Sequence, residues 1–257
     1  MTISIQPDVA LFFRDQLRAA RAEVLKDSEA FDEVVLVLER LGRYLMGKRE
    51  IGLGKYEQTL TSIAKCSPLA DAIPAQYTEY HIRFVTLFDL LKEARNSAVH
   101  EGAVARHLSA NAIEVALVLE DALMVNSRTV GDFMVRNPSV ALPWQPLSMI
   151  RQVMLSHSFS YLPVRTQAQG GQWQVVADFE LARFFREASG TSERHARMAT
   201  SLGDGVRSGQ VQLRAVTCVG ALTRIEEVLG KIDALPVLVI GSSDAELIGI
   251  LTAFDLL

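Results

Sequence analysis

Two similar stretches decide how the second half of this chain folds: SVALPWQPLSMIRQVMLSHSFSYLPV (residues 139–164) and AVTCVGALTRIEEVLGKIDALPVLVI (residues 215–240). Each reads as a short strand, an amphipathic helix and a strand that opens with Leu-Pro-Val. A polar turn and a second apolar strand follow, WQVVA (173–177) in one case and LIGIL (247–251) in the other. Because one such unit leaves an apolar sheet face exposed, we expect the two copies to pack against each other.

The repeats are expected at about residues 130–188 and 208–257. The polar stretch REASGTSERHARMATSLGDGVRSGQ (186–210) joins them. It is rich in Gly and Ser and has no apolar period, so the sequence predicts a loop or a connector there.

The second half resembles a tandem pair of CBS domains over roughly residues 130–257. The resemblance rests on both Leu-Pro-Val strands and on the ending GILTAFDLL. In that family the pattern Gly-x-x-Thr-x-x-Asp closes a nucleotide site, and here it is met by Gly249, Thr252 and Asp255. An Asp carboxylate can accept both ribose hydroxyls and a Thr hydroxyl can donate to a phosphate, so the resemblance implies an adenine nucleotide (AMP, ADP, ATP or a relative) as regulatory ligand. Thr-x-x-Asp is also an ordinary helix N-cap, and this alternative stays open.

The first repeat departs from that pattern, with Gln174, Ala177 and Glu180 at the corresponding positions. The missing hydroxyl at position 177 weakens phosphate binding, although Glu180 can still reach a ribose. We therefore expect one good site rather than two. The candidate nucleotide-binding residues are Thr252, Asp255, Val216 and Glu180.

The first half, residues 1–126, contains amphipathic stretches of helical period joined by short loops, which indicates an all-α bundle. Asn111 and Glu114 have capping-box spacing, which predicts a helix start at Asn111. The expected fold is therefore multidomain, with an all-α bundle (1–126) followed by an α+β tandem pair (127–257).

One helix of this bundle carries unexpected polar groups. In RFVTLFDLLKEARNSAVHEG (83–102) the apolar residues fall on one stripe, and Arg95 projects onto that stripe. His100 lies in the last turn, just before Gly102, where the helix dipole favours an imidazolium. Taken alone, Arg95 fits a rim ion pair and His100 a helix end.

The string RNSAVH (95–100) and its place in a helical bundle resemble the HEPN superfamily over roughly residues 5–126. The resemblance implies a homodimer in which two motif helices form one composite site, with Arg95, Asn96 and His100 as catalytic residues. It implies a metal-independent endoribonuclease that acts as a toxin, stress effector or defence effector and that has RNA as substrate and a cognate antitoxin as partner. The alternative is a non-enzymatic nucleotide sensor whose bundle only dimerises or docks a partner.

The chemistry of such a site has a physical basis. Arg95 and His100 point about 140° apart around the helix axis, so two antiparallel copies would be needed to bring one of each to a phosphate. Histidine transfers protons near neutral pH, and arginine stabilises the charge of the phosphorane. No metal cofactor is required for this reaction.

Composition restricts the classes of protein that fit. The chain has 257 residues and two cysteines, Cys66 and Cys218, which suggests neither a disulfide framework nor a metal site. Residues 1–126 hold 14 Lys and Arg against 18 Asp and Glu, and residues 127–257 hold 12 against 12. A general, strongly basic nucleic-acid binder is therefore excluded. No apolar run is long enough to cross a bilayer and the start is not a signal sequence, so we expect a cytoplasmic protein.

Overall fold

The computed structural model describes residues 5–97, 105–166, 171–232, 235–243 and 246–257, without the side chains of 94–97 and 105–107. The chain divides into two compact units, which we name the helical unit (Met1–Ser127) and the two-repeat unit (Arg128–Leu257). The described part of the first is helical, and the second mixes helices with strands, as a multidomain chain of all-α and α+β parts requires.

Packing of amphipathic faces holds the helical unit together. Its helices are α1 (Pro7–Lys26), α2 (Phe31–Met46), α3 (Glu57–Ala64), α4 (Ala72–Gln76), α5 (Phe84–Ser97) and α6 (Ala105–Met124). Helix α1 lies against α2 and α6, and α5 lies against α6. The predicted apolar stripe of α5 is confirmed where it is described, since Phe84, Leu87, Phe88 and Leu91 are all buried.

Charged side chains also link α1 to α6. Glu120 on α6 is only 7% exposed, and both of its carboxylate oxygens accept hydrogen bonds from Arg21 at 3.0 and 3.1 Å. Arg18 lies 3.5 Å from the same carboxylate. A bidentate, largely buried pair of this kind fixes the register of two helices more strictly than apolar contacts do.

The predicted helix start at Asn111 is wrong. Helix α6 already runs at Ala105, so Asn111 lies inside it. The apolar face explains the difference, because Leu108 is buried together with Ala112 and Val115 and extends the stripe toward the N-terminus.

The two-repeat unit contains two sheets. Its elements in chain order are α7 (Val130–Phe133), β1 (Val135–Arg136), α8 (Leu147–His157), β2 (Tyr161–Arg165), β3 (Trp173–Ala177), α9 (Asp178–Arg186), α10 (Thr191–Ala199), α11 (Leu202–Arg207), β4 (Arg214–Ala215), β5 (Cys218–Gly220), α12 (Ile225–Leu229), β6 (Val237–Ile240) and β7 (Leu247–Leu251). The strand orders are β1-β7-β6-β5 and β2-β3-β4. The first Leu-Pro-Val segment lies within β2, and the second leads into β6, which begins at Val237. The sequence predicted both strands.

The repeats exchange their leading segments. Strand β1 lies near the start of the first repeat but pairs with β7 of the second, whereas β4 lies near the start of the second repeat but pairs with β3 of the first. The short helices follow the same rule, since Gly131 N donates to Ala221 O at 2.8 Å and Gly203 N donates to Pro143 O at 2.7 Å. Each sheet is therefore completed by a segment from the other repeat.

The predicted connector at 186–210 is wrong, because α10 and α11 occupy most of it. Helix α10 is stabilised by Arg197, which binds Glu193 one turn earlier at 2.6 Å and also donates to the Phe184 carbonyl. Ser201 caps α11 by accepting from Asp204 N at 3.1 Å. Thr129 and Asp132 form a comparable cap on α7.

Candidate functional site

The position predicted to bind nucleotide lies where β7 ends. Thr252 follows the strand and precedes a short 3-10 turn, Ala253–Leu256. The Asp255 side chain folds back, and its Oδ2 accepts hydrogen bonds from Thr252 N at 2.7 Å and from Thr252 Oγ1 at 2.8 Å. Asp255 is 9% exposed. The two residues thus form a capping arrangement that also fixes the orientation of a buried carboxylate.

Gly249 has a packing role in this neighbourhood. It pairs with Arg136 of β1 in the sheet. A Cβ at this position would overlap the side chain of Met134. The glycine therefore lets the exchanged segment approach β7 closely.

The corresponding position in the first repeat is occupied differently. Glu180 on α9 has no exposed side-chain surface, and its two carboxylate oxygens accept from Arg183 at 2.6 Å and from Arg214 at 3.2 Å. The guanidinium of Arg214 also lies 5.2 Å from the centre of the Phe179 ring. A ligand hydroxyl would have to share the Glu180 carboxylate with these arginines. Ala177, next to it, is fully buried and offers no hydroxyl.

Val216 lies in the short link between the two sheets. It is half-buried between β4, which pairs with β3, and β5, which pairs with β6. Its backbone therefore passes from the sheet of the first repeat to the sheet of the second.

The RNSAVH motif is only partly within the described residues. Arg95 and Asn96 lie in the last turn of α5 as backbone positions, and His100 lies outside the described residues. One turn earlier, Lys92 contacts Glu57 at 2.5 Å and Asp89 at 2.6 Å. The hydrogen bonds to Asp89 and Glu57 raise the pKa of Lys92 above its ordinary value. Its charge is shared by two carboxylates, so it adds little net positive potential for RNA beside the motif.

A cavity of about 1100 Å³ opens between the first repeat and the segment that contains α11. Trp144 is 67% exposed and forms part of the cavity wall. The other lining residues are Leu142, Pro143, Val164, Arg165, Thr166, Gly171, Ser201, Leu202, Gly203, Val206, Arg207 and Leu213. No sequence motif marks this cavity, because its walls come from three separate segments.

Over the residues that the structure describes, there is no cluster of three or more His, Cys, Asp or Glu side chains able to hold a metal ion. Among the same residues, every helix is too short or too polar to cross a bilayer.

Comparison with known proteins gives solved structures only; no protein-family model and no curated protein matches the sequence. CBSX2 in complex with AMP is 24% identical with a TM-score of 0.35, over 49% of this chain and 91% of that chain. A hemolysin-like protein containing a CBS domain, from Oenococcus oeni PSU, is 15% identical with a TM-score of 0.38, over 51% and 88%. The soluble part of a magnesium transporter is 16% identical with a TM-score of 0.36, over 94% and 96%. The chain is thus similar over about half its length to CBS-domain proteins, at scores too low to support an argument about its function.

Proposed function

We propose that the two-repeat unit is a nucleotide-sensing regulatory module that binds one adenine nucleotide at Thr252 and Asp255. The observation that carries the proposal is the buried Asp255 carboxylate, which Thr252 holds in place at the end of β7. This reading also uses the resemblance of both repeats to a CBS pair.

The Asp255 carboxylate is preorganised for a ligand by its two hydrogen bonds to Thr252. A carboxylate already fixed by two hydrogen bonds loses little side-chain entropy when it accepts further donors. Vicinal ribose hydroxyls are donors of the right kind. The Thr252 hydroxyl gives its one proton to Asp255, so it would have to rotate away from that carboxylate to donate to a phosphate. The first repeat does not offer this arrangement, because Glu180 is engaged by Arg183 and Arg214. One nucleotide per chain is therefore the expected stoichiometry.

The test is calorimetric titration of AMP, ADP and ATP into the full chain and into Asp255→Ala. Leaving two ribose hydroxyls unpaired costs roughly 1–3 kcal/mol, so the variant should bind about tenfold more weakly or worse. Glu180→Gln is the matched control, and it should leave affinity and stoichiometry unchanged. Circular dichroism establishes that each variant is folded.

Two results would count against the proposal. If none of the three nucleotides binds the intact chain, the module does not sense adenine nucleotides. If Asp255→Ala lowers the melting temperature but leaves nucleotide affinity intact, Thr252 and Asp255 act only as a cap.

A second candidate function is metal-independent RNA cleavage by the helical unit. It is favoured by the sequence RNSAVH and by the position of Arg95 and Asn96 in the last turn of α5. The composite site needs two chains, so this function requires a homodimer. The acidic balance of residues 1–126 favours the non-enzymatic reading instead.

Incubation with RNA in the presence of EDTA separates these readings. A nuclease should cleave RNA, and His100→Ala should abolish cleavage while the protein remains folded and dimeric by light scattering. Arg95→Ala should lose on the order of 2–4 kcal/mol of transition-state stabilisation. A monomeric protein, or no cleavage of any RNA pool with or without nucleotide, would leave the bundle without this activity.

A further inference from the structure

The cavity beside Trp144 is separate from both nucleotide positions. In the β2–β3 hairpin, Arg165 pairs with Trp173 at one end, and Tyr161 pairs with Ala177 at the other. Glu180 follows the Ala177 end, whereas the cavity lies at the Arg165 end. A ligand in the cavity would therefore not occupy the position that corresponds to Thr252 and Asp255.

The walls of the cavity are mainly apolar. Val164 and Leu202 are buried, whereas Leu142 is 40% and Trp144 67% exposed. A ligand that covers the exposed tryptophan ring removes a large aromatic surface from water, which is favourable. An apolar cavity of this volume with an aromatic edge is suited to a small organic ligand.

Two arginines give the cavity mouth its charge. Arg165 Nε donates to the Gly171 carbonyl at 2.9 Å, and its guanidinium lies 6.0 Å from the Trp173 ring centre. Arg207, on α11, is 79% exposed at its side chain and pairs with Asp204. Two guanidinium groups beside an apolar wall favour an anionic group on the ligand, because arginine matches carboxylate, sulfonate and phosphate geometry.

The second repeat provides an internal comparison. The bond from Gly203 to Pro143 corresponds to the bond from Gly131 to Ala221, so Trp144 and Leu222 hold equivalent places. By strand register Arg165 corresponds to Ile240. Arg207 lies at the end of α11, beyond the part that matches α7, because α7 ends at Phe133 and the following strand β1 corresponds to β4. The second repeat thus has neither the aromatic ring at position 222 nor a cation at position 240. Trp144 and Arg165 come from the first repeat, which lacks the Thr and Asp pair, and Arg207 comes from the leading segment of the second.

We propose that this cavity binds a small aromatic anion. Its ring system packs against Trp144 and the apolar wall, and its carboxylate, sulfonate or phosphate lies between Arg165 and Arg207. The site is distinct from the proposed nucleotide position and gives the unit a second, chemically different ligand.

The test uses the fact that the chain has only two tryptophans. In a Trp173→Phe protein, Trp144 is the sole tryptophan and reports directly on the cavity. Titration with 8-anilinonaphthalene-1-sulfonate should quench Trp144 emission saturably, with one site per chain. The double change Arg165→Ile with Arg207→Val removes both cations from the cavity mouth, and it should weaken binding about tenfold or more. Leu222→Ala, at the equivalent position of the second repeat, should change nothing.

A neutral probe checks the role of charge. N-phenyl-1-naphthylamine should bind at least about tenfold more weakly than the sulfonate and should not respond to the arginine changes. Equal binding of both probes, unchanged sulfonate affinity in the double variant, or Trp144 emission that does not respond to the sulfonate would each overturn the proposal. Displacement of the sulfonate by AMP in an Asp255→Ala background would also overturn it, by placing the nucleotide here. Circular dichroism of each variant excludes misfolding as the cause.

Discussion

Replacing Gly203 by alanine should loosen the exchange of segments between the two repeats. Gly203 N donates to Pro143 O at 2.7 Å. An added Cβ would lie 3.1 Å from that oxygen and 3.5 Å from Pro143 Cβ. Because the close neighbour is backbone rather than a flexible side chain, the contact can be relieved only by moving α11 or the loop at Pro143.

Three contributions set the change in the free energy of unfolding that Gly203→Ala should cause. Overpacking against a fixed neighbour costs typically about 1–3 kcal/mol. A weakened hydrogen bond adds about 1 kcal/mol. Replacing glycine by alanine in a helix offsets about 0.4–1 kcal/mol by restricting the unfolded chain. The net loss is therefore about 1–3 kcal/mol, which lowers the melting temperature of a unit of this size by about 4–12 °C.

Thermal unfolding followed by circular dichroism measures this change. Gly230→Ala is the matched control, because no atom lies within 4 Å of the added Cβ. It should be neutral or raise the melting temperature slightly. Gly131→Ala, whose Cβ would lie 3.0 Å from Ala221 O, should resemble Gly203→Ala. If both exchange-site variants melt with the control, the leading segments are not tightly docked and the reasoning fails.

Three further changes test other parts of the structure. Hydrogen bonds from Ser189 lower the pKa of Glu193 to about 2. The ionised carboxylate therefore stabilises the fold fully above its ordinary pKa of 4.5, and this stabilisation is lost as pH falls toward 2. The melting temperature of Glu193→Gln should depend less on pH between 4.5 and 2 than that of the unchanged protein, and an identical pH profile would contradict this. Glu120→Gln should destabilise the helical unit by about 1–3 kcal/mol in urea unfolding, because Arg21 loses a largely buried charged partner; a loss near zero would mean that the pair is dispensable. Glu180→Gln should lower the free energy of unfolding by less, about 1–2 kcal/mol, because Arg183 and Arg214 are nearly half exposed and can be hydrated. A larger loss in urea unfolding would show that water does not compensate these arginines.

Local patterns in the sequence predicted much of the fold. The apolar alternation around each Leu-Pro-Val segment predicted β2 and β6, and the helical period predicted the buried face of α5. A second repeated signal was present but overlooked. Thr129-Val-Gly-Asp132 and Ser201-Leu-Gly-Asp204 share one pattern, a hydroxyl residue, an aliphatic residue, Gly and Asp, and each begins a short capped helix. That signal marks equivalent helices in the two repeats.

The features that the sequence did not predict depend on contacts between segments that are far apart in the chain. Helix α10 has a polar sequence and forms through ion pairs and packing on its neighbours rather than through an apolar period. The exposure of Trp144 follows from the shape of a cavity with walls from three segments, which no local pattern encodes. The capping contact between Thr252 and Asp255 was one of the alternatives that the sequence left open. The contacts of Glu180 were not predicted, because Arg183 is three residues away in the sequence but Arg214 is 34 residues away.

The exchanged strands also set the order in which the chain can fold. Val135 pairs with Ile250, more than a hundred residues away, so on the ribosome β1 must wait for β7 to be synthesised. Closing so long a loop carries a large entropic cost before any contact compensates for it, and such non-local pairing slows folding. Before Ala215 is synthesised the nascent first repeat lacks β4 as well, and β3 presents an unpaired edge. Folding of the two-repeat unit is therefore expected to be largely post-translational, with chaperone dependence greatest while that edge is open.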